Sequence, residues 1–210
     1  MDYLGFQQTF DWLPVISTRE IEKAFPGFDR NALTRWQKKG YLQKIRNGFY
    51  RFTSRRLKSD SDIFFIANRI YQPSYVSLQS AMRWYDFIPE GVFTVTSVST
   101  LKTIRFSTPV GAFSYGSLKP ELFWGYHLET YGDFRIRIAD PAKALLDFLY
   151  LNPHLATEDH FFELRLNMME IKEKLDFRVF ERYLGHFSSP ALQARADSFM
   201  KFIKAYAFAI

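Results

Sequence analysis

DRNALTRWQKKGYLQKIRNGFYRF, residues 29–52, is the stretch on which the reading of this chain turns. Asp29 is an N-cap residue type ahead of a helical run. Leu33 and Trp36, three apart, share one face of the helix predicted over 30–39. Gly40 stands where a C′ glycine ends a helix. Lys38 and Lys39 fall in the last turn, against the negative end of the helix dipole. The outward face keeps Arg30, Asn31, Thr34, Arg35 and Lys38. Two β-rich runs then flank Asn47-Gly48, which predicts a hairpin with a type I′ turn. The spacing makes Trp36 a core residue rather than a base-stacking one, and places Tyr41, Phe49 and Phe52 in the hairpin core.

Working toward the N-terminus, residues 4–12 read as a short helix stopped by Pro14. Ser17-Thr18-Arg19-Glu20 is a capping box. The helix it opens runs to about Phe25, burying Ile21, Ala24 and Phe25, and Pro26-Gly27 makes a turn. Helix, capped helix, tight turn, basic helix and basic hairpin, in that order, predict a winged helix-turn-helix. The charge agrees. Residues 30–58 hold ten Lys and Arg and no Asp or Glu, which leaves 18 basic against 22 acidic residues elsewhere. A concentrated basic module on a slightly acidic body points to a polyanion partner, here double-stranded DNA. A helix fits the major groove, where Asn31 pairs with adenine and Arg30 or Arg35 with guanine; Thr34 and Lys38 read or flank bases beside them. Lys39, Lys44, Arg46, Arg51, Arg55 and Arg56 are assigned to phosphate, which gives affinity without sequence. Protein docking is the alternative use of such a module.

The whole chain has 210 residues, 47% of them apolar, enough for one or two packed domains. The aromatic share of 19% predicts a Phe-rich core. Zero cysteines exclude disulfides, zinc ribbons and thiol catalysis. The N-terminus lacks the charge and apolar run of a signal peptide, and no stretch approaches 18 apolar residues, so a cytoplasmic protein with no membrane partner is expected.

The fold class expected is α+β: an N-terminal winged helix-turn-helix over 1–58, then a larger α+β domain over 62–210. That domain is strand-rich at 92–139, with a mixed or antiparallel sheet, and helical at 140–210. The polar run at 53–62 reads as the linker, with the boundary near Ser59-Asp60. Helices are predicted over 63–71 and 77–85, and a turn at Pro89-Glu90-Gly91. Strands follow at 92–98, 105–106, 112–115, 123–128 and 134–138. In the last, Phe134, Ile136 and Ile138 face one side and the arginines the other. Asp140 caps a helix with Pro141 at its first position, and helices follow at 158–168, 177–185 and from Ser189-Pro190. The last carries Leu192, Ala196, Phe199, Ile203 and Tyr206 on one stripe, which docks on the body.

Catalytic motifs are missing. His127, His154, His160 and His186 have no metal-site spacing, and there is no H-E-x-x-H, G-x-S-x-G or P-loop. Gly116-Ser117 lacks the downstream carboxylate pair of a nucleotidyltransferase. Asp140 and Asp147, seven apart on one helix face, suggest acid/base work, but capping explains Asp140 more simply. No enzyme activity, cofactor or metal is expected. Lys102, Arg105, Arg135 and Arg137 are a possible second polyanion surface, read here as a solvated strand face.

The chain resembles the AbiEi-type antitoxins of bacterial type IV toxin–antitoxin systems and related transcriptional regulators. The resemblance lies in residues 33–52, in 75–126 (YVSLQSAMRWYDFIPEGVFTVTSVSTLKTIRFSTPVGAFSYGSLKPELFWGY) and in 136–153 (IRIADPAKALLDFLYLNP). It covers roughly 10–153; the last 55 residues share only helicity. It implies a promoter-binding winged helix that represses its own operon, linked to abortive infection. It also implies a C-terminal domain that opposes a nucleotidyltransferase-like toxin without a stable complex. The family's functional positions carry over only to the basic residues of 30–39 and the wing around Asn47-Gly48. Two rivals remain: a stand-alone regulator whose C-terminal domain senses a ligand or partner, and an RNA-acting enzyme with the winged helix as clamp.

Overall fold

The computed structural model describes residues 2–89, 91 and 93–207. The N-terminal elements are α1 (Tyr3–Phe10), β1 (Ile16–Ser17), α2 (Thr18–Ala24), α3 (Asn31–Lys38), β2 (Leu42–Arg46) and β3 (Phe49–Phe52). The strands form an antiparallel sheet in the order β1-β3-β2. The capping box is formed: the Glu20 amide donates to Ser17 Oγ at 3.2 Å and the Ser17 amide to Glu20 Oε2 at 2.9 Å. These helices are too short to persist alone, and aromatic packing holds them. Phe6, fully buried, has the rings of Phe10, Phe28, Trp36 and Phe52 within 6 Å. Trp36 is core as its spacing predicts.

Four local expectations are corrected. Asp29 sits one residue before the cap position of α3, yet its carboxylate still accepts the Asn31 amide at 2.9 Å. Only Gly48 of the turn takes a positive φ, +80°, so the turn is not type I′, which needs both central residues there. A register shift between Lys44 and Arg46 instead supplies the twist. Tyr41 is 40% exposed, its ring tilted against that of Tyr3 rather than buried. Ala24, at the end of α2, is exposed and not buried with Ile21.

The rest of the chain runs α4 (Asp60–Ile70), β4 (Ser74–Val76), α5 (Leu78–Trp84), β5 (Thr94–Ser99), β6 (Ile104–Thr108), β7 (Gly111–Ser117), a 3-10 turn (Pro120–Leu122), β8 (Tyr126–Tyr131) and β9 (Phe134–Ala139). Helices α6 (Pro141–Leu151), α7 (Glu158–Glu163), α8 (Met168–Lys174), α9 (Phe177–Gly185) and α10 (Pro190–Ala207) follow. The six-stranded sheet has the order β6-β7-β5-β4-β9-β8 and is mixed: β5/β7 and β4/β9 are parallel, the other pairs antiparallel. The fold is therefore α+β with a mixed sheet and C-terminal helices.

Register shows which helix covers which face. Tyr115 pairs with Ser97 and Tyr75 with Val98, so the two tyrosines lie on opposite faces. Tyr115 donates to the Ala67 carbonyl of α4 at 2.8 Å, and Tyr75 donates to Asp147 of α6 at 2.9 Å. The sheet is thus sandwiched between α4 and α6. Helix α10 lays Leu192, Ala196, Phe199 and Ile203 into the core, against α6 to α9.

The helix expected over 158–168 ends at Glu163, before Arg165, whose φ is +47°, and α8 begins only at Met168, where the expected helix stops. Val92 of the expected first strand and Glu90 of the preceding turn lie outside the described residues. The expected linker over 53–62 is locked instead of loose. Asp62 is 2% exposed, accepts the Lys58 amide at 2.7 Å and pairs with Arg55 at 3.2 Å. Its three last residues already belong to α4, whose positive N-terminal end favours Asp60 and Asp62. One continuous cluster of buried apolar residues runs from Phe6 to Ile203.

Candidate nucleic-acid interface

Helix α3 buries Ala32, Leu33 and Trp36 against the N-terminal core. That fixes its roll and leaves Arg30, Asn31, Thr34, Arg35 and Lys38 all exposed on the opposite side. Arg35 reaches back to Asp29 at 2.9 Å, with both groups more than half exposed. That carboxylate is held below its ordinary range, first by the Arg35 hydrogen bond. Such a pair is worth little in water and leaves Arg35 available to a competing anion. Lys39 is exposed at the helix end, 6.0 Å from the Tyr41 ring centre. Lys44 on β2 and Arg56 beyond β3 are exposed as well. Among the described residues, Arg30, Lys38, Lys44 and Arg56 have no carboxylate within ion-pair distance.

Three of the assigned phosphate ligands are engaged inside the protein. Arg46 donates to the Ile70 carbonyl at 2.5 Å, and its guanidinium lies 3.9 Å from the centre of the Phe106 ring. It fastens the hairpin to α4 and to β6. Arg51 donates to Gln43 Oε1 at 3.1 Å and to the Arg55 carbonyl. Arg55 donates to the Asp11 carbonyl at 3.2 Å and pairs with Asp62. Burial lowers the Arg51 pKa and the neighbouring Arg55 charge adds to it. A guanidinium stacked on a ring and bonded to a buried carbonyl is not free to follow a phosphate.

A further tie was not read from the sequence: Arg69 of α4 forms a salt bridge with Glu20 of the capping box. Burial pushes the Glu20 carboxyl up, but its bonds to Arg69 and Ser17 outweigh that and hold it low overall. Lys102 and Arg105 do not meet Arg135 and Arg137. They belong to β6 and its approach, and three strands separate β6 from β9.

Sequence reasoning also missed a buried charged cluster. Lys143 and Asp147, four apart on α6, are both 0% exposed and paired. Asp147 also accepts from Tyr75 Oη at 2.9 Å and Ser77 Oγ at 2.8 Å, and Lys143 donates to Tyr75 Oη at 2.9 Å. Burial pushes the Asp147 carboxyl up and the Lys143 ammonium down. The available signal was the helix itself: it is apolar on every side, so its two charges must be buried with it.

Asp140 occupies the cap position but bonds to side chains, not to the helix. It meets His127 Nδ1 at 2.8 Å and accepts from Tyr183 Oη at 3.0 Å. The Asp140 hydrogen bond raises the His127 pKa, with Glu129 3.5 Å away adding to it and burial opposing. Among the described residues no group of three or more His, Cys, Asp or Glu is placed to hold a metal, and no helix is long and apolar enough to cross a membrane. No protein-family model matches the chain, and no curated protein matches it.

Proposed function

We propose that the chain is a DNA-binding antitoxin that represses its own operon and opposes a nucleotidyltransferase-like toxin. In this reading residues 1–58 act as a winged helix-turn-helix: α2 and α3 are the helix pair, and β2–β3 is the wing. One observation carries the DNA half. Helix α3 is anchored through Leu33 and Trp36, so it offers Arg30, Asn31, Thr34, Arg35 and Lys38 together on one exposed face. Lys39, Lys44 and Arg56, exposed as well, are the phosphate ligands of this reading. The antitoxin half rests on the resemblance over 33–52, 75–126 and 136–153, and places the protein in the cytoplasm.

The test is fluorescence anisotropy with the DNA upstream of its own gene against scrambled DNA, over a salt series. Tighter binding to the upstream DNA with a steep salt slope supports the repressor. Equal, weak binding to both removes sequence readout. Co-expression with the neighbouring toxin tests the rest: rescue of growth supports an antitoxin. The alternative, a stand-alone regulator with a sensing C-terminal domain, is favoured by the wing's attachment to the body through Arg46. No nucleotidyltransferase-like gene beside this one would select it.

A further inference from the structure

A cavity of about 320 Å³ opens beside the segment that holds the wing. Its walls are Gln72, Pro73, Ser74, Phe123, Tyr126 and Arg137. The size lies within the range of small-molecule sites. Pro73 and Gln72 follow directly on Ile70 and Tyr71, the residues against which Arg46 is fastened.

Arg137 is the cation of this cavity. Its main chain is bonded on both sides to the Asn68 carboxamide, which fixes the strand position it projects from. Arg137 is half-buried as a residue, and among the described residues its guanidinium has no ion-pair or hydrogen-bond partner. No carboxylate lines the cavity. A guanidinium without a counter-ion at the wall of a cavity has its fork open to a carboxylate or a phosphate. The Gln72 carboxamide donates one N–H to the Asn68 carbonyl at 3.1 Å, which fixes the position of this wall.

The other wall is aromatic and rigid. Tyr126 stacks on Tyr75 with ring centres 4.7 Å apart, and Phe123 lies 5.5 Å from Tyr126. Tyr75 is itself held by Asp147 and Lys143. Such a wall suits the face of a flat ring, and a bare inorganic ion would leave most of the volume empty.

We propose that this cavity binds a small anion carrying a flat ring, with its anionic group on Arg137 and its ring against Phe123 and Tyr126. An aromatic carboxylate and a nucleoside monophosphate share that chemistry. The binding site stands apart from the DNA reading, because it is measured without DNA.

The test is isothermal titration of the full chain with benzoate, AMP and inorganic phosphate as probes. Wild type, Arg137→Gln and Arg135→Gln are compared. Saturable binding of benzoate or AMP, weakened at least tenfold by Arg137→Gln and unchanged by Arg135→Gln, is the expected result. Preference between the two probes identifies the source of the ligand, and either preference supports the site. Arg137→Lys keeps the charge but loses the fork; if the Gln variant does not fold, weakened binding by the Lys variant carries the same conclusion. No saturable binding of either ringed probe overturns the proposal. So does phosphate binding as well as they do, or wild-type binding by the Arg137 variants.

Discussion

Replacing Asp147 by alanine probes the buried cluster of α6 independently of any function. The carboxylate accepts from Lys143, Tyr75 and Ser77, and both ends of its ion pair are completely buried. Asp147→Ala leaves one ammonium and two hydroxyls without their acceptor in a site water does not reach. Breaking one side of a buried ion pair costs about 3–5 kcal/mol. For a chain of this length that lowers the melting temperature by roughly 6–20 °C. The double variant Lys143→Met/Asp147→Asn leaves no charge, and its new carbonyl oxygen still accepts from Tyr75 or Ser77. It should recover more than half of the loss. Urea unfolding followed by circular dichroism, with melts of the same three proteins, measures both. A loss below about 1 kcal/mol for Asp147→Ala, where the buried-pair range begins at about 3, refutes the reasoning. A double variant as unstable as the single one also refutes it.

Gly125 has a φ of +71°, and a Cβ there would lie 2.9 Å from Lys143 Cγ. Gly125→Ala should cost about 1–3 kcal/mol in the same urea assay. On DNA, Lys44→Ala should reduce the steepness of the log K against log[salt] plot by about 0.9. Arg46→Ala should leave that slope unchanged while lowering stability, because its guanidinium is already bonded to Ile70; equal slope changes would return Arg46 to the phosphate contacts. His127 has a folded pKa raised above the ordinary imidazole value of 6.5 by Asp140 and Glu129. Its contribution is complete below pH 6.5 and is lost as the pH rises through the folded value. The urea midpoint of the wild type should therefore fall between pH 6 and 8 relative to that of His127→Gln, and parallel curves would exclude the His127 pair as the cause.

Local chemistry was legible where partners are close in sequence. The Ser17–Glu20 box, the Leu33–Trp36 face and the α10 stripe all depend on spacings of three to four residues. Long-range partners left no trace. Arg46 bonds to a backbone carbonyl 24 residues away, and a carbonyl has no side-chain signature. Arg55 and Arg51 read as surface cations because two of their acceptors are main-chain oxygens, of Asp11 and Arg55, and the others, Gln43 and Asp62, lie in stretches that read as surface. Strands β1 and β4, of two and three residues, are too short to show alternation. Of the eleven residues assigned to DNA, the eight outside this internal set are exposed; the other three hold the structure together.

The attachments of Arg46 to Ile70, Arg55 to Asp62 and Arg69 to Glu20 also bear on operator architecture. A reading head on a loose tether tolerates half-sites at many separations, because the tether absorbs both distance and rotation. If residues 1–58 act as the proposed reading head, these ties hold it against the rest of the chain. One base pair inserted between two half-sites turns the second by about 35° around the duplex axis. If two such molecules bind inverted repeats and meet through their C-terminal bodies, those bodies set the angular phase of the repeats. A one-base-pair spacer change should abolish joint occupancy, while adding a full helical turn restores the facing of the two sites.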